Sequence, residues 1–205
     1  MTPFPPSSRS PRSAGSLSVP RRGRAVGLVL AALLCSAAAT SAYAAISVGG
    51  KPKVAFFAEG TPGALDIEGD TNTVTASDDG TKLVFTVPVT SVKTGIDLRD
   101  DHMCHEFCQV EQFPNLTLTL NKADIPWPTT LGQAAKGTVH ATFNAHGVDA
   151  PVSVDYNVAR SKTGYRVIAK FNFDVSQHGI AIPSYLGVTV DPKMHAEVTV
   201  DLVDA

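Results

Sequence analysis

The chain has 205 residues, 43% of them hydrophobic and 18% charged, with a formal net charge of −2. All 19 acidic residues lie after Ala44, while five of the 17 Lys and Arg (Arg9, Arg12, Arg21, Arg22, Arg24) lie before it, which leaves 12 basic against 19 acidic side chains beyond Ala44, a net of −7. A domain this acidic, with no basic stripe, lacks the electrostatic footprint of nucleic-acid binding. Anionic lipid surfaces would repel it unless a local patch docks.

Arg21, Arg22 and Arg24 precede an apolar run from Ala25 to Leu34, and small residues then lead to Ala42-Tyr43-Ala44. A basic start, a short apolar stretch and an A-x-A site predict a secretory signal peptide over 1–44, cleaved near Ala44. About ten apolar residues are too few to span a bilayer, which takes about 20, so an integral membrane protein is not expected. Leu33-Leu34-Cys35 hints at a lipoprotein box, but Leu34 is too bulky for one. The expected location is the periplasm or the exterior, and residues 45–205 suffice for one domain with a sizeable core.

Beyond Gly50 apolar and polar residues alternate with period two between turn signals, the pattern of an all-β barrel or sandwich. Val54–Ala58, Ala64–Glu68, Val74–Ser77 and Leu83–Val89 are predicted strands, and Asp78-Asp79-Gly80 predicts a hairpin turn before the last of them. Leu116, Leu118 and Leu120 face one way, Thr117 and Thr119 the other. Val139, Ala141 and Phe143 alternate with His140 and Thr142 before His146-Gly147-Val148-Asp149 turns the chain. Val152, Val154, Tyr156 and Val158 precede a hairpin at Arg160–Gly164, after which Tyr165, Val167, Ala169, Phe171 and Phe173 alternate with polar residues. Met194, Ala196, Val198, Val200 and Leu202 form the last predicted strand.

Short hairpins between successive strands favour an antiparallel closed barrel, and barrels of about eight strands have interiors that are filled by side chains or hold one small ligand. The inward faces here carry many Phe and few polar groups. Three stretches interrupt the strands. Ala123–Thr130 is an irregular loop with the only Trp, Trp127, between two prolines. Ser176–Pro192 is predicted as a long loop, of the kind that serves as a lid or mouth. Asp97–Cys108 is predicted as one short helix, with Leu98, Met103 and Phe107 near helical spacing.

That helical segment concentrates reactive side chains. His102, Cys104, His105 and Cys108 include the atoms of a soft-metal site, but four tetrahedral ligands from seven helical residues would be strained. A periplasmic redox or metal protein using these four residues is the alternative reading. Cleavage near Ala44 would remove Cys35 and leave Cys104 and Cys108 as an even pair in an oxidising compartment. A disulfide between them needs locally non-helical backbone, since Cys at i and i+4 of a regular helix seldom satisfy its geometry. His140 and His195 fall on polar strand faces; His146 and His178 fall in turns, where bonding to backbone is commoner than ligation. No G-x-S-x-G, H-E-x-x-H, P-loop or Rossmann fingerprint is present, so no catalytic residue is expected.

Thr94-Gly95, Arg99-Asp100, His102-Met103, Val110 and Phe113-Pro114 together resemble the T-G-x-x-x-R-D-x-H-M/L…V-x-K/Q-Y/F-P segment of the YceI-like family. Phe57–Gly63 with Ile67-Glu68-Gly69 is similar to the family's opening segment, and His146–Val152 to its H/L-G-V-x-x-P-V turn. Asp174–Ile180 is similar to its N-x-x-D-Y/F-G-I motif, with Asp174 for Asn, Gln177 for Asp and His178 for the aromatic. Pro183–Val188 matches a version found in part of the family. The matches cover roughly residues 53–202 in the family's order. The resemblance implies an eight-stranded, lipocalin-like antiparallel barrel with a helix near its opening, exported to the periplasm. It also implies non-catalytic binding of an isoprenoid or related amphiphile, a quinone or fatty chain included, as the hydrophobic small-molecule partner, with no cofactor expected and a homodimer left open.

Such a carrier needs an apolar tunnel for the tail and a few polar groups for the head. The residues assigned to the tail are Phe56, Phe85, Val87, Leu118, Phe143, Tyr156, Phe171 and Phe173. Arg99 and His102, with Lys93 nearby, are assigned to the head, because cations suit a phosphate or quinone oxygen. Arg99 has an equal claim to a structural salt bridge with Asp97, Asp100 or Asp101, and Asp100 reads as a cap or partner.

Overall fold

The computed structural model describes residues 46–62, 65–185 and 188–204. The predicted signal peptide and its cleavage point, together with Ala64, Leu186 and Gly187, lie outside the described residues.

The alternation predicted from sequence folds into eleven antiparallel strand segments: β1 (Ile46–Thr61), β2 (Leu65–Thr71), β3 (Thr75–Asp78), β4 (Lys82–Pro88), β5 (Asn115–Asn121), β6 (Ala134–Ala145), β7 (Val148–Arg160), β8 (Gly164–Asp174), β9 (Ser184–Tyr185), β10 (Val188–Val190) and β11 (Lys193–Asp204). Neighbours run β3-β4-β5-β6-β7-β8-β11-β1. β10 pairs with the end of β1 beyond β11, and β2 takes the opposite edge of β1. With β2–β3 as one bent stave and β10–β11 as another, the wall has eight staves, as an antiparallel lipocalin-like barrel requires. The bent stave closes the ring, because β2 pairs with β1 and β3 pairs with β4. At that seam the Ile46 N–H donates to the Asp78 carboxylate at 3.2 Å.

Local chemistry sets the turns. Asp78 accepts from Gly80 N–H, and Asp79 accepts from Thr81 and Lys82 N–H, which reverses the chain between β3 and β4. Between β6 and β7 both His146 (φ 51°) and Gly147 (φ 73°) are left-handed, the backbone of a tight primed hairpin. A side chain at 147 would meet Phe113 Cε1 at 2.6 Å, so the turn and the chain entering β5 need glycine there together.

The inward face is the one the alternation assigned. Leu83, Val139, Phe143, Val154, Tyr156, Val158, Phe171, Ala196, Val200 and Leu202 are buried. Ile125 and Trp127, in the loop between β5 and β6, join this core at the end where β4 begins and β5 finishes. The Trp127 ring packs edge-on against Tyr165 and its indole N–H donates to the Lys122 carbonyl. Beneath them Lys122 Nζ reaches Asp78 Oδ2 at 2.6 Å, an ion pair between side chains 13% and 0% exposed.

The other end carries the helical segment, and two expectations are corrected there. The predicted helix is α-helical only over Asp97–His102 (α1); Met103–Phe107 is a π turn, with Cys108 N–H donating to the Met103 carbonyl. Leu98, which falls near helical spacing with Met103 and Phe107, is 65% exposed. The face turned to the protein is Asp100, Met103 and Cys104, at i, i+3 and i+4, since the Asp100 carboxylate is anchored to the strand side of the helix. The second correction concerns 176–192. It is not a plain loop: Val175–His178 is a 3-10 turn and β9–β10 a small hairpin docked on β1.

Candidate functional site: an apolar lumen and the barrel end around the helix

Seven of the eight residues assigned to a ligand tail line one internal cavity: Phe56, Phe85, Val87, Leu118, Phe143, Tyr156 and Phe171. Phe173 does not line it but packs on rings that do, with centroids 4.9 Å from Phe143, 5.8 Å from Phe171 and 6.3 Å from Phe56. The cavity measures about 70 Å³. Phe85, Leu118, Val167, Ala169 and Val198 point inward yet are only half-buried. Inward side chains in a filled core lose nearly all their exposure, so the barrel is not packed solid at this level. Ile125 and Trp127 also line the cavity. Strand alternation could not single them out; the available signal was a lone Trp in a proline-flanked loop.

The head-group candidates are placed differently. Thr94 organises them: its N–H and hydroxyl both donate to Asp100 Oδ1, at 2.9 and 2.5 Å. Arg99 Nε donates to the Thr94 hydroxyl at 2.8 Å and Arg99 Nη2 to the Thr94 carbonyl at 2.7 Å. Neither sequence reading of Arg99 anticipated this: it clamps Thr94 and forms no salt bridge with Asp97, Asp100 or Asp101 among the described residues. Lys93 is exposed, 3.9 Å from Asp100 Oδ2. Burial opposes ionisation of Asp100, but the two Thr94 hydrogen bonds and the neighbouring Lys93 and Arg99 charges outweigh it and hold its pKa below the usual carboxylate value. His102 is exposed and faces Glu106 at 3.9 Å. Thus Lys93 and Arg99 meet around Thr94–Asp100, His102 stands apart, and none of the three lines the cavity.

The cysteine–histidine alternative does not assemble. His105 is exposed and engages Glu111 at 2.7 Å and Asp101 at 3.7 Å. Cys104 is buried and Cys108 partly so, both as free thiols and not as the disulfide considered from sequence. Burial pushes the Cys104 thiol up, and burial together with the neighbouring Cys104 pushes Cys108 up to about 11. Protonated thiols are weak nucleophiles and poor ligands. Among the described residues no group of three or more His, Cys, Asp or Glu is placed to hold a metal.

Two histidines sit deeper. His178 is fully buried; its Nδ1 donates to the Val148 carbonyl at 2.8 Å, and its ring meets Phe143 edge-on. His146 Nδ1 lies 3.2 Å from the His178 carbonyl, and its ring packs on Phe113. Both therefore bond backbone, and the Nε2 atoms of both are buried without a partner. Beside them the wall parts. The β7–β8 ladder runs from Arg160–Tyr165 only as far as Val154–Phe171, although β6–β7 pairing continues to Val148 and β8–β11 pairing to Asp174. A cleft of about 460 Å³ lies there, bordered by Ala150, Val152, Asn172, Phe173, His178 and Lys193 among others.

Fold and site together define a small antiparallel barrel with an apolar lumen, one end underlain by a tryptophan loop and the other carrying a short helix. The sequence matches the YceI-like domain model over residues 45–203, and the chain belongs to that family. Among solved structures it is similar to a polyisoprenoid-binding domain from Saccharophagus degradans implicated in plant cell wall breakdown. The identity there is 14% and the TM-score 0.62, covering 78% of this chain and 98% of that one. It is also similar to Burkholderia cenocepacia BcnA, at 14% identity and TM-score 0.57, covering 74% and 96%. At these identities the likeness is one of fold. No protein with a curated description matches the sequence. No helix among the described residues is long and apolar enough to cross a membrane.

Proposed function

We propose that the protein is a non-catalytic carrier of an amphiphile with an isoprenoid or related chain, a quinone or fatty chain included, held in the barrel lumen of an exported, periplasmic protein. The observation that carries this reading is the half-buried state of inward Phe85, Leu118, Val167, Ala169 and Val198 around a cavity with an almost wholly hydrocarbon lining. Each methylene buried there contributes about 0.8 kcal/mol, so a long tail needs few polar contacts to bind well. Membership of the YceI-like family and a fold shared with a polyisoprenoid-binding domain support the same reading.

The cavity is far smaller than the roughly 300–1,000 Å³ of ordinary ligand pockets. Loading therefore requires the rings of Phe56, Phe143, Phe171 and Phe173 to swing aside. Phe56, Phe85, Val87, Leu118, Phe143, Tyr156, Phe171 and Phe173 contact the tail in this reading. Lys93, Arg99 and His102 were the head-group candidates, and Arg99 commits its Nε and one Nη2 hydrogen to Thr94. Native mass spectrometry of the protein purified from its host, followed by lipid extraction, tests the proposal. A bound hydrophobic species is the expected result. Recovery of empty protein that also takes up no prenyl or fatty ligand in vitro would sink it.

A further inference from the structure

Both ends of the barrel are roofed by packed side chains. At the helix end Val92 belongs to the core, and Met103 and Ile180 pack against it. At the other end Ile125 belongs to the core and Trp127 packs against it, pinned by its bond to the Lys122 carbonyl. The wall between these roofs falls short of full pairing twice. β5 and β6 pair only from Thr117–Asn144 to Leu120–Ala141, although β6 runs back to Ala134, and there the chain joining the two strands supplies Ile125 and Trp127 to the core. β7 and β8 stop pairing at Val154–Phe171, and there a cleft of about 460 Å³ remains.

This second opening is built into the strands. Pro151 borders it on the unpaired stretch of β7 and has no N–H to offer a neighbouring strand; proline within a sheet is confined to edges and breaks. Past the break the chain leaves β8 as the 3-10 turn Val175–His178, and His178 Nδ1 is tied to the Val148 carbonyl at the start of β7. The opening is thus bounded at one side by the Val154–Phe171 pair and at the other by that tie. Missing rungs make this a weakly held part of the wall, and elements that move for a ligand are drawn from such regions.

One ring stands between the cleft and the lumen. Extending the β7–β8 register by two residues would set Val152 opposite Phe173. Val152 is buried and pairs with Ala141 on β6, whereas Phe173 is only half-buried. Phe173 borders the cleft and also packs on Phe56, Phe143 and Phe171, which line the lumen. His178 likewise borders the cleft and touches Phe143, but its bond to Val148 holds it in place, and a phenyl ring has no such tether.

We propose that the break between β7 and β8 is a side entrance to the lumen, gated by the Phe173 ring, through which the hydrocarbon tail of the amphiphile passes. The proposal rests on the carrier reading, and the two can fail separately. The test is stopped-flow uptake and release of farnesol and of palmitate, read by fluorescence of Trp127, the one tryptophan of the chain and part of the lumen lining. Asn172, exposed on the cleft border, is changed to Cys and alkylated with a bulky maleimide. Blocking the path raises the barrier in both directions, so uptake and release should both slow by roughly tenfold while Kd stays within about twofold. The same label on Ile168→Cys, exposed on the same strand but outside the cleft border, should change neither rate. Phe173→Ala should speed uptake by roughly threefold or more.

Rates untouched by the label at 172 would overturn the side entrance and leave the carrier standing. Slowing by a label on Leu98→Cys at the helix, or on Leu131→Cys at the tryptophan end, without slowing from 172, would move the entrance to that end. Slowing from 172 with uptake unchanged in Phe173→Ala would overturn the gate. Failure of the unmodified protein to take up either probe would overturn the carrier and the entrance with it.

Discussion

Thr94 gives Asp100 two hydrogen bonds, from its N–H and from its hydroxyl, and Asp100 thereby ties α1 to the segment that leads into it. The same segment is fastened to β2 by paired backbone bonds between Asp70 and Lys93. The most recognisable motif in the chain is thus a clamp that fixes the helix on the barrel. Asp100 is ionised where it is buried, and its folded pKa lies below the unfolded value of 3.8. A depressed carboxylate pKa contributes stability that is present above the unfolded pKa and lost as pH falls through the folded one.

Asp100→Asn should therefore cost about 2 kcal/mol at pH 7, the range for hydrogen bonds to a buried charge. The gap between variant and unmodified protein should begin to close as pH falls below the unfolded value of 3.8, and should vanish only below the lower folded value, where Asp100 is protonated in both states of the unmodified chain. Denaturant melts at pH 7, 5 and 3 measure it. A gap that stays constant over this range would mean that the charge contributes nothing.

The Lys122–Asp78 pair joins the ends of β3 and β5 at the closing seam of the barrel, where Asp78 also accepts from Ile46 and Gly80 N–H. Lys122→Met strands a carboxylate whose side chain is 0% exposed, and breaking one half of such a pair costs about 3–5 kcal/mol. Adding Asp78→Asn should recover part of that loss, because the stranded charge is gone. Equilibrium unfolding of both variants decides it; a single variant within experimental error of the unmodified protein would show that the pair is solvated.

Cys104 and Cys108 should titrate as two slow thiols in the native mature chain at pH 7, since the Cys108 pKa is raised to about 11 and Cys104 is raised as well. In denaturant both should react at ordinary rates. Thiol counting with an aromatic disulfide reagent, with and without denaturant, gives the answer. Zero thiols in denaturant would establish a disulfide, and rapid native reaction would establish an activated cysteine.

Ala169 is a small side chain in the lumen lining, with Tyr156 and Val198 as its cross-strand partners. Ala169→Phe should fill the cavity, at an overpacking cost of about 1–3 kcal/mol. The variant should fold and should lose hydrophobic ligand on extraction, while Ile168→Phe, on the outer face, should keep it. Retention of ligand by Ala169→Phe would place the ligand outside the lumen.

Much of this architecture was readable from the chain. Along β7, β8 and β11 the inward residues follow from parity alone, because successive side chains of a strand point to opposite faces whatever it pairs with. That is why seven of eight residues named from alternation line a single cavity. The His146-Gly147 turn was equally legible, since a primed hairpin demands left-handed backbone at both positions. The helix was read less well. Its inward face depends on where the α turns give way to a π turn, and on an Asp100 anchor whose partner, Thr94, lies six residues away outside the helix.

The sequence by itself determined the fold class, the inner face of the wall and the family, because all three rest on local periodicity and short motifs. Only the tertiary structure decided which side chains meet in the interior and where the wall opens. Trp127 is held at the core by a bond to Lys122, Arg99 clamps Thr94 rather than an aspartate, and β7 leaves β8 at Val154 while its other ladder continues. Each of these is a choice of partner across space, made by competition among hydrogen bonds and packed rings that residue order does not record.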